Sequence, residues 1–162
     1  MSIYRVPASL AADIWPAIKL YVERACEYHP FMDADSVLEL VQAGRVTLFI
    51  STQHGSVLGF CAVEVVEYPR RTVANVLGVG GKNGFLEVIS RELIPIVADF
   101  ADHYGATVVT LSGRPGWLRA LRHLGGRSRQ YITMWADTNG LVGRRINKDN
   151  DHSVGTSPAV PT

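Results

Sequence analysis

The sequence predicts an α/β domain whose sheet is of mixed direction, with two helices ahead of its main strands. Three observations predict it. Residues 46 to 79 carry three β-branched and aromatic runs separated by short turn segments, which reads as an antiparallel meander. Residues 85 to 104 place apolar side chains at helical spacing, and TVVTLS, residues 107 to 112, is a nearly continuous apolar run. Strand, helix and strand in that order make a crossover between parallel strands, so a parallel pair joins the antiparallel set.

The elements follow in order. IYRVP, residues 3 to 7, alternates as a short strand. Ser9 can cap a helix with Leu10, Ile14, Ala17, Ile18, Tyr21, Val22 and Ala25 on one face, and Pro16 must sit in its first two turns or bend it. Asp33 or Asp35 can cap a second helix through Leu38 and Val41, stopped by Gly44. VTLFIS, a turn at Gln53-His54-Gly55-Ser56, VLGFCAVEVVEY, a turn at Tyr68-Pro69-Arg70 and RTVANVLGV complete the meander. GVGGKNG, with Gly78, Gly80, Gly81 and Gly84, is expected to be a glycine-rich loop opening the long helix. Pro95 lies inside that helix and removes the bond its nitrogen would give to Arg91, which predicts a kink or a late start. Gly105 is a natural stop. After Gly113-Arg114-Pro115-Gly116 a short helix from Trp117 to His123 and a last strand, RQYITMWA, are expected.

Composition narrows the function classes. A chain of 162 residues, 47% hydrophobic and with a formal net charge of +1, suits one domain with an ordinary core and not a polyelectrolyte. Its expected extent is residues 1 to 136; residues 137 to 162 have too few apolar side chains to fold alone and are expected to be disordered unless a partner holds them. Cys26 and Cys61 lie in apolar surroundings without ligand spacing, so both read as buried thiols of a reducing compartment, and no metal site is expected. No signal peptide and no run of about 18 apolar residues is present, so a cytoplasmic protein is expected, with no membrane contact. Between His103 and Ala136 there is no Asp or Glu, while Arg114, Arg119, Arg122, Arg127 and Arg129 fall there, so this end of the domain is locally basic. With Trp117 as the one aromatic neighbour and no nucleic-acid motif, direct nucleic-acid binding is not expected.

The order strand, two helices, three-strand meander, glycine loop, long helix, strand, short helix, strand resembles the GNAT acyl-CoA N-acyltransferase superfamily over about residues 3 to 136. LSGRPGWLRALRHLGG is similar to a group of GNAT-like proteins, many phage-encoded, that carry Gly-Arg-Pro-Gly-Trp after the fifth strand. The resemblance implies a GNAT-like fold and binding of acetyl-CoA, with Gly80, Gly81, Lys82, Asn83 and Gly84 cradling the pyrophosphate on backbone N–H groups at a helix start. The Arg or Gln that leads this motif in the superfamily is absent: Val76, Leu77 and Val79 stand there.

Acetyl transfer to an amine needs a base for the ammonium and an acid for the leaving thiolate. Glu64 and Glu67 are the carboxylates of the meander; three residues apart, they should face opposite sides of a regular strand, so one at most faces a cleft. An ion pair with Arg70 or Arg71 is the alternative for either. Leu121 occupies the position of the superfamily's acidic Tyr, which leaves His123 and Tyr131 as candidates. No cysteine is placed as a nucleophile, so direct attack of the amine on the thioester is expected. Two readings follow. The first is an acyl-CoA-binding protein that transfers an acetyl group to a small-molecule or protein amine; the second is a catalytically degenerate GNAT fold serving in a phage virion or assembly, its tail meeting a protein partner.

Overall fold

The computed structural model describes residues 1 to 112 other than Tyr28 and Pro30, without the side chains of Leu86 and Ser90. The short helix and last strand expected after Gly113, the tail, His123 and Tyr131 lie outside the described residues. Five strands run in the order β1 (Ser2–Val6), β2 (Val46–Gln53), β3 (Ser56–Tyr68), β4 (Arg71–Gly81) and β5 (Ala106–Leu111). Neighbours are antiparallel except β4 and β5, which are parallel. The mixed α/β sheet expected from the sequence is therefore present.

Helix α1 (Ala11–Cys26) and α2 (Ala34–Gln42) cover one face of the sheet. Trp15, Ile18 and Val22 of α1 and Val37 and Val41 of α2 pack there on Leu48, Ile50, Phe60 and Ala62. On the other face, Phe85, Ile89, Leu93, Val97 and Ala101 pack on Phe49, Cys61, Val63, Ala74 and Val76. The alternation of β3, Phe60 and Ala62 one way and Cys61 and Val63 the other, is the period-two pattern of a strand covered on both faces.

Local chemistry sets the ends. Asp33 caps α2: its Oδ1 accepts from the Ser36 N–H at 2.8 Å and from the Ser36 hydroxyl at 2.7 Å. Those donors hold the Asp33 carboxyl below its ordinary value, so the cap's contribution is lost as pH falls through that lowered value. Gly44, at φ +70°, closes the same helix, with Gly44 N–H on Val41 and Arg45 N–H on Leu40, the pairing of a Schellman stop. Ser9 does not cap α1. A 3-10 turn (Ala8–Leu10) precedes it, in which Leu10 N–H bonds the Pro7 carbonyl, and α1 starts without a side-chain cap. The hairpin turn is the two residues His54 and Gly55, both at positive φ as a primed turn requires.

The long helix is continuous but not uniform. α3 (Phe85–Val88) passes into a π-helical segment (Ile89–Leu93) and then α4 (Ile94–His103), with Pro95 in the first turn of α4. The Ile94 N–H reaches back five residues to the Ile89 carbonyl, so the helix widens before Pro95 and restarts at a position where its missing N–H is tolerated. The irregularity expected at Pro95 takes this form.

Two buried groups carry predictions. Cys61 is fully buried and its thiol is pushed up to about 12. In the unfolded chain it ionises near 9, so stability is expected to fall as pH rises from about 9 toward 12, the folded state staying protonated while the unfolded one does not. A thiol reagent should accordingly leave Cys61 unmodified until denaturant is added. Ser51 is 1% exposed and its hydroxyl has no hydrogen-bond partner among the described residues. Ser51→Ala is expected to raise stability by about 1 kcal/mol in urea unfolding, since it removes an unpaid desolvation.

Candidate functional site

The described pairing along β4 differs on its two sides. Its pairing with β5 runs from Thr72 to Val76, opposite Ala106 to Leu111, whereas β4 continues to Gly81 and stays paired with β3 as far as Gly59. Leu77 to Gly81 therefore have no strand partner on the β5 side among the described residues. At the same point the β3 register skips: Ala62 faces Gly78 and Val63 faces Val76, so Leu77 is the extra residue of a bulge. The carboxyl ends of neighbouring parallel strands, here those of β4 and β5, are the usual place for a ligand in an α/β fold.

The glycines divide between two tasks. Gly78, Gly80 and Gly81 are strand residues of β4, not loop residues as the sequence suggested, because β3 pairs with β4 up to the Gly59–Gly81 register. A Cβ on Gly81 would lie 2.4 Å from the Leu58 carbonyl and 2.6 Å from the Phe85 ring; one on Gly59 would meet that ring at 2.5 Å. A Cβ on Gly80 would stand 3.2 Å from the Tyr21 carbonyl of α1. These glycines let Phe85 on one face and α1 on the other approach the sheet closely. The turn itself is shorter: Lys82, Asn83 and Gly84, all exposed, with Gly84 at φ +86°.

The backbone of that turn is partly committed. Lys82 N–H bonds the Leu58 carbonyl at 2.8 Å, and the Lys82 and Gly84 carbonyls accept from Phe85 and Glu87 N–H at 3.0 and 3.1 Å. The Asn83 and Gly84 N–H groups have no acceptor among the described residues. With the Lys82 ammonium, they make a small anion-seeking set at the start of the α3–α4 helix.

The two carboxylates of β3 are separated by its alternation. Glu64, half-buried, is on the α1 face, opposite Val46 on β2 and Asn75 on β4. Glu67 is on the other face, yet both carboxylates border one cleft, with Arg5, Phe100 and Tyr104. Along β4, Glu64 is level with Asn75, two positions before the bulge, while Glu67 is level with Thr72, nine positions and about 30 Å from Gly81. Neither pairs with Arg70 or Arg71 among the described ion pairs.

Two polar residues beside Glu64 escaped the sequence reading. Thr110 of β5 donates its hydroxyl to Asn75 Oδ1 at 3.0 Å, so Glu64, Asn75 and Thr110 form a polar row across three strands near the bulge. An amide inside the otherwise apolar run VANVLGV is the signal that could have found it. Both cysteines have raised thiols, Cys61 by burial and Cys26 by burial and the nearby Asp33 carboxylate, so neither is an activated nucleophile. Among the described residues, no group of His, Cys, Asp and Glu could hold a metal ion, and no helix is long and apolar enough to cross a membrane.

No family model matches the sequence, and no curated protein does. Solved structures do. An aminoglycoside acetyltransferase from an uncultured soil metagenomic sample, solved with sisomicin, is similar at TM-score 0.64 and 14% identity, covering 84% of this chain and 95% of that one. A ribosomal-protein-alanine N-acetyltransferase from Brucella melitensis biovar Abortus 2308 is similar at 0.61 and 15%, over 85% and 99%. An acetyltransferase from Trypanosoma brucei is similar at 0.60 and 12%, over 83% and 98%. Identities this low carry architecture alone. The five described strands, with β4 and β5 parallel, and the helices on both faces are thus those of the GNAT fold.

Proposed function

We propose that this chain binds an acyl-CoA thioester, acetyl-CoA in the first instance, along the last residues of β4 and passes the acyl group to an amine. The observation that carries the proposal is the end of β4: five residues past its described pairing with β5 lead directly into the Asn83 and Gly84 N–H groups and Lys82. An extended arm containing amides can pair with a strand edge as a further strand would, while its phosphates meet the turn. The residues fit the group. Of the five positions expected to cradle the pyrophosphate, Asn83 and Gly84 supply backbone donors and Lys82 a cation. Gly80 and Gly81 serve by keeping β4 close to its neighbours.

The thioester supplies an activated acyl carbon. Glu64 takes a proton from the incoming ammonium so that its nitrogen lone pair is available, and Asn75, held by Thr110, flanks that carboxylate. Glu64 rather than Glu67 suits this role, because it stands beside the bulge and next to Asn75 and Thr110. Tyr131 or His123 would return a proton to the departing sulfur. The amine is of a small molecule or a protein, in line with the aminoglycoside and ribosomal-protein alanine named for similar structures.

Calorimetric titration of acetyl-CoA tests the binding half. The Lys82→Glu, Asn83→Asp double variant changes two exposed side chains and is expected to weaken binding at least tenfold at low salt. Equal affinity of variant and parent would remove the coenzyme from this turn. No binding at millimolar acetyl-CoA would favour the second reading, an assembly module without turnover, which the missing leading Arg or Gln and the two-donor turn support. Pull-downs with and without residues 137 to 162 would then test for a protein partner of the tail.

A further inference from the structure

The cleft that both carboxylates border, about 480 Å³ in volume, is also lined by Arg5, Arg45, Phe100 and Tyr104. It lies where the strands end in steps. β1 pairs with β2 up to Val6 opposite Leu48, β2 begins at Val46 opposite Glu64, and β3 continues to Tyr68. Val65 to Tyr68 therefore have no strand partner on the β2 side among the described residues, and a ligand at that rim can meet side chains of both faces. Val65 and Val66 line the cleft and present there a strand edge with which the amides of an extended chain can pair.

The cleft carries two charges of each sign, and none of the four is in an ion pair among the described residues. They are segregated. Arg45 immediately precedes Val46, the residue opposite Glu64, so Arg45, Glu64 and Glu67 stand at one end with an excess of one negative charge. Arg5 stands at the other. It is level with Phe49 and Cys61, three register positions or about 10 Å along the sheet from Glu64, and two strands, again about 10 Å, across it.

Arg5 is held ready at its end. One of its guanidinium N–H groups donates to the Tyr104 hydroxyl at 3.2 Å, and its carbon sits 5.3 Å from the Phe100 ring centre and 5.8 Å from that of Tyr104. Phe100 is itself fixed edge-on against the core ring of Phe49 at 5.4 Å. An arginine stacked and hydrogen-bonded in this way has already lost much of its rotamer freedom, while most of its five donors stay uncommitted. A cleft with one cationic end, one anionic end and a strand edge between them suits an extended ligand that carries a charge of each sign at its two ends and amides along its length.

We propose that the cleft takes a short peptide by both ends and that the peptide's terminal amine is the acyl acceptor. Arg5 donates to the C-terminal carboxylate, the last side chain lies on Phe100 and Tyr104, and the N-terminal ammonium meets Glu64. An extended tripeptide spans about 10 Å, and the Arg5 and Glu64 side chains reach inward over the remainder. As the C–N bond forms and the C–S bond breaks, the ammonium gives up two protons; one passes through Glu64 to solvent and the other balances the proton taken up by the sulfur. The assignment of the peptide as acceptor rests on the acyl-transfer reading, whereas its binding by both ends does not.

The test is an amide NMR titration of the full chain, without coenzyme, with the tripeptide Ala-Ala-Phe and with its N-acetyl and C-terminal amide forms, each of which lacks one end charge. The free tripeptide is expected to shift the signals of Arg5, Val65, Glu67 and Tyr104 in a saturable way, with each blocked form at least tenfold weaker. Arg5→Gln should weaken the free tripeptide at least tenfold and leave the amide form unchanged, since that form has no carboxylate to lose; a disturbed fold would weaken both alike. Shifts that do not saturate, that lie elsewhere, that are equal for free and blocked forms, or that survive Arg5→Gln unchanged would each overturn the site. Acetyl-CoA is then added, and mass spectrometry is expected to find the acetyl group on the tripeptide's terminal amine. Tripeptide binding without transfer would overturn its role as acceptor and leave the site standing. Transfer to other amines with no tripeptide binding would overturn the site and leave the acyl-transfer reading standing.

Discussion

Gly81→Ala is expected to destabilise the domain by about 3 kcal/mol, the upper range for forcing an extra carbon into a packed interior. The new Cβ would stand 2.4 Å from a backbone carbonyl, that of Leu58, and 2.6 Å from the Phe85 ring. The carbonyl cannot yield cheaply, because it also accepts the Lys82 N–H at 2.8 Å and so holds the turn. Gly59→Ala should cost a similar amount by meeting Phe85 and the Gly80 carbonyl, both at 2.5 Å. Gly80→Ala should cost less, about 1 kcal/mol, since its 3.2 Å contacts need a shift of only a few tenths of an ångström. At Gly78, where the closest atom is 3.6 Å away, the change should be close to neutral. Urea unfolding of the four variants checks the order. Four equal costs would mean that propensity, not close packing, explains the glycines.

Glu64→Gln is expected to reduce acyl transfer by roughly 10²- to 10⁴-fold, the usual contribution of a general base, with acetyl-CoA affinity unchanged. Glu67→Gln should leave the rate as it was, since that carboxylate is on the opposite face. Steady-state kinetics on an accepted amine, with calorimetry on the same variants, separates the chemical step from binding. Full turnover in Glu64→Gln would move the base elsewhere. A rate loss matched by a loss of coenzyme affinity would show that the substitution had disturbed β3 and not the chemistry. The polar row supplies an internal comparison: Thr110→Val frees the Asn75 amide and should lower the rate less than Glu64→Gln does.

The sequence by itself determined the elements and their order. Period-two runs in β2, β3 and β4, helical spacing after Gly84 and stops at Gly44 and Gly105 are local properties, set by where a backbone can turn and which face must be apolar. The Asp33 cap and the irregularity before Pro95 were legible for the same reason, since each depends on neighbours within a few residues. Much of the candidate site was not. That Gly80 and Gly81 belong to β4 follows from how far β3 extends beside it, and that the Lys82 N–H is already taken follows from a carbonyl 24 positions away, at Leu58. The odd spacing of Glu64 and Glu67 put them on opposite faces; which of them is level with Asn75 and Thr110 depended on the registers of three strands. Arg5 and Tyr104, 99 positions apart, meet only because β1 and the end of α4 lie across the same sheet. Local periodicity encodes a strand's faces, but what stands opposite each face is decided when distant segments compete for one core.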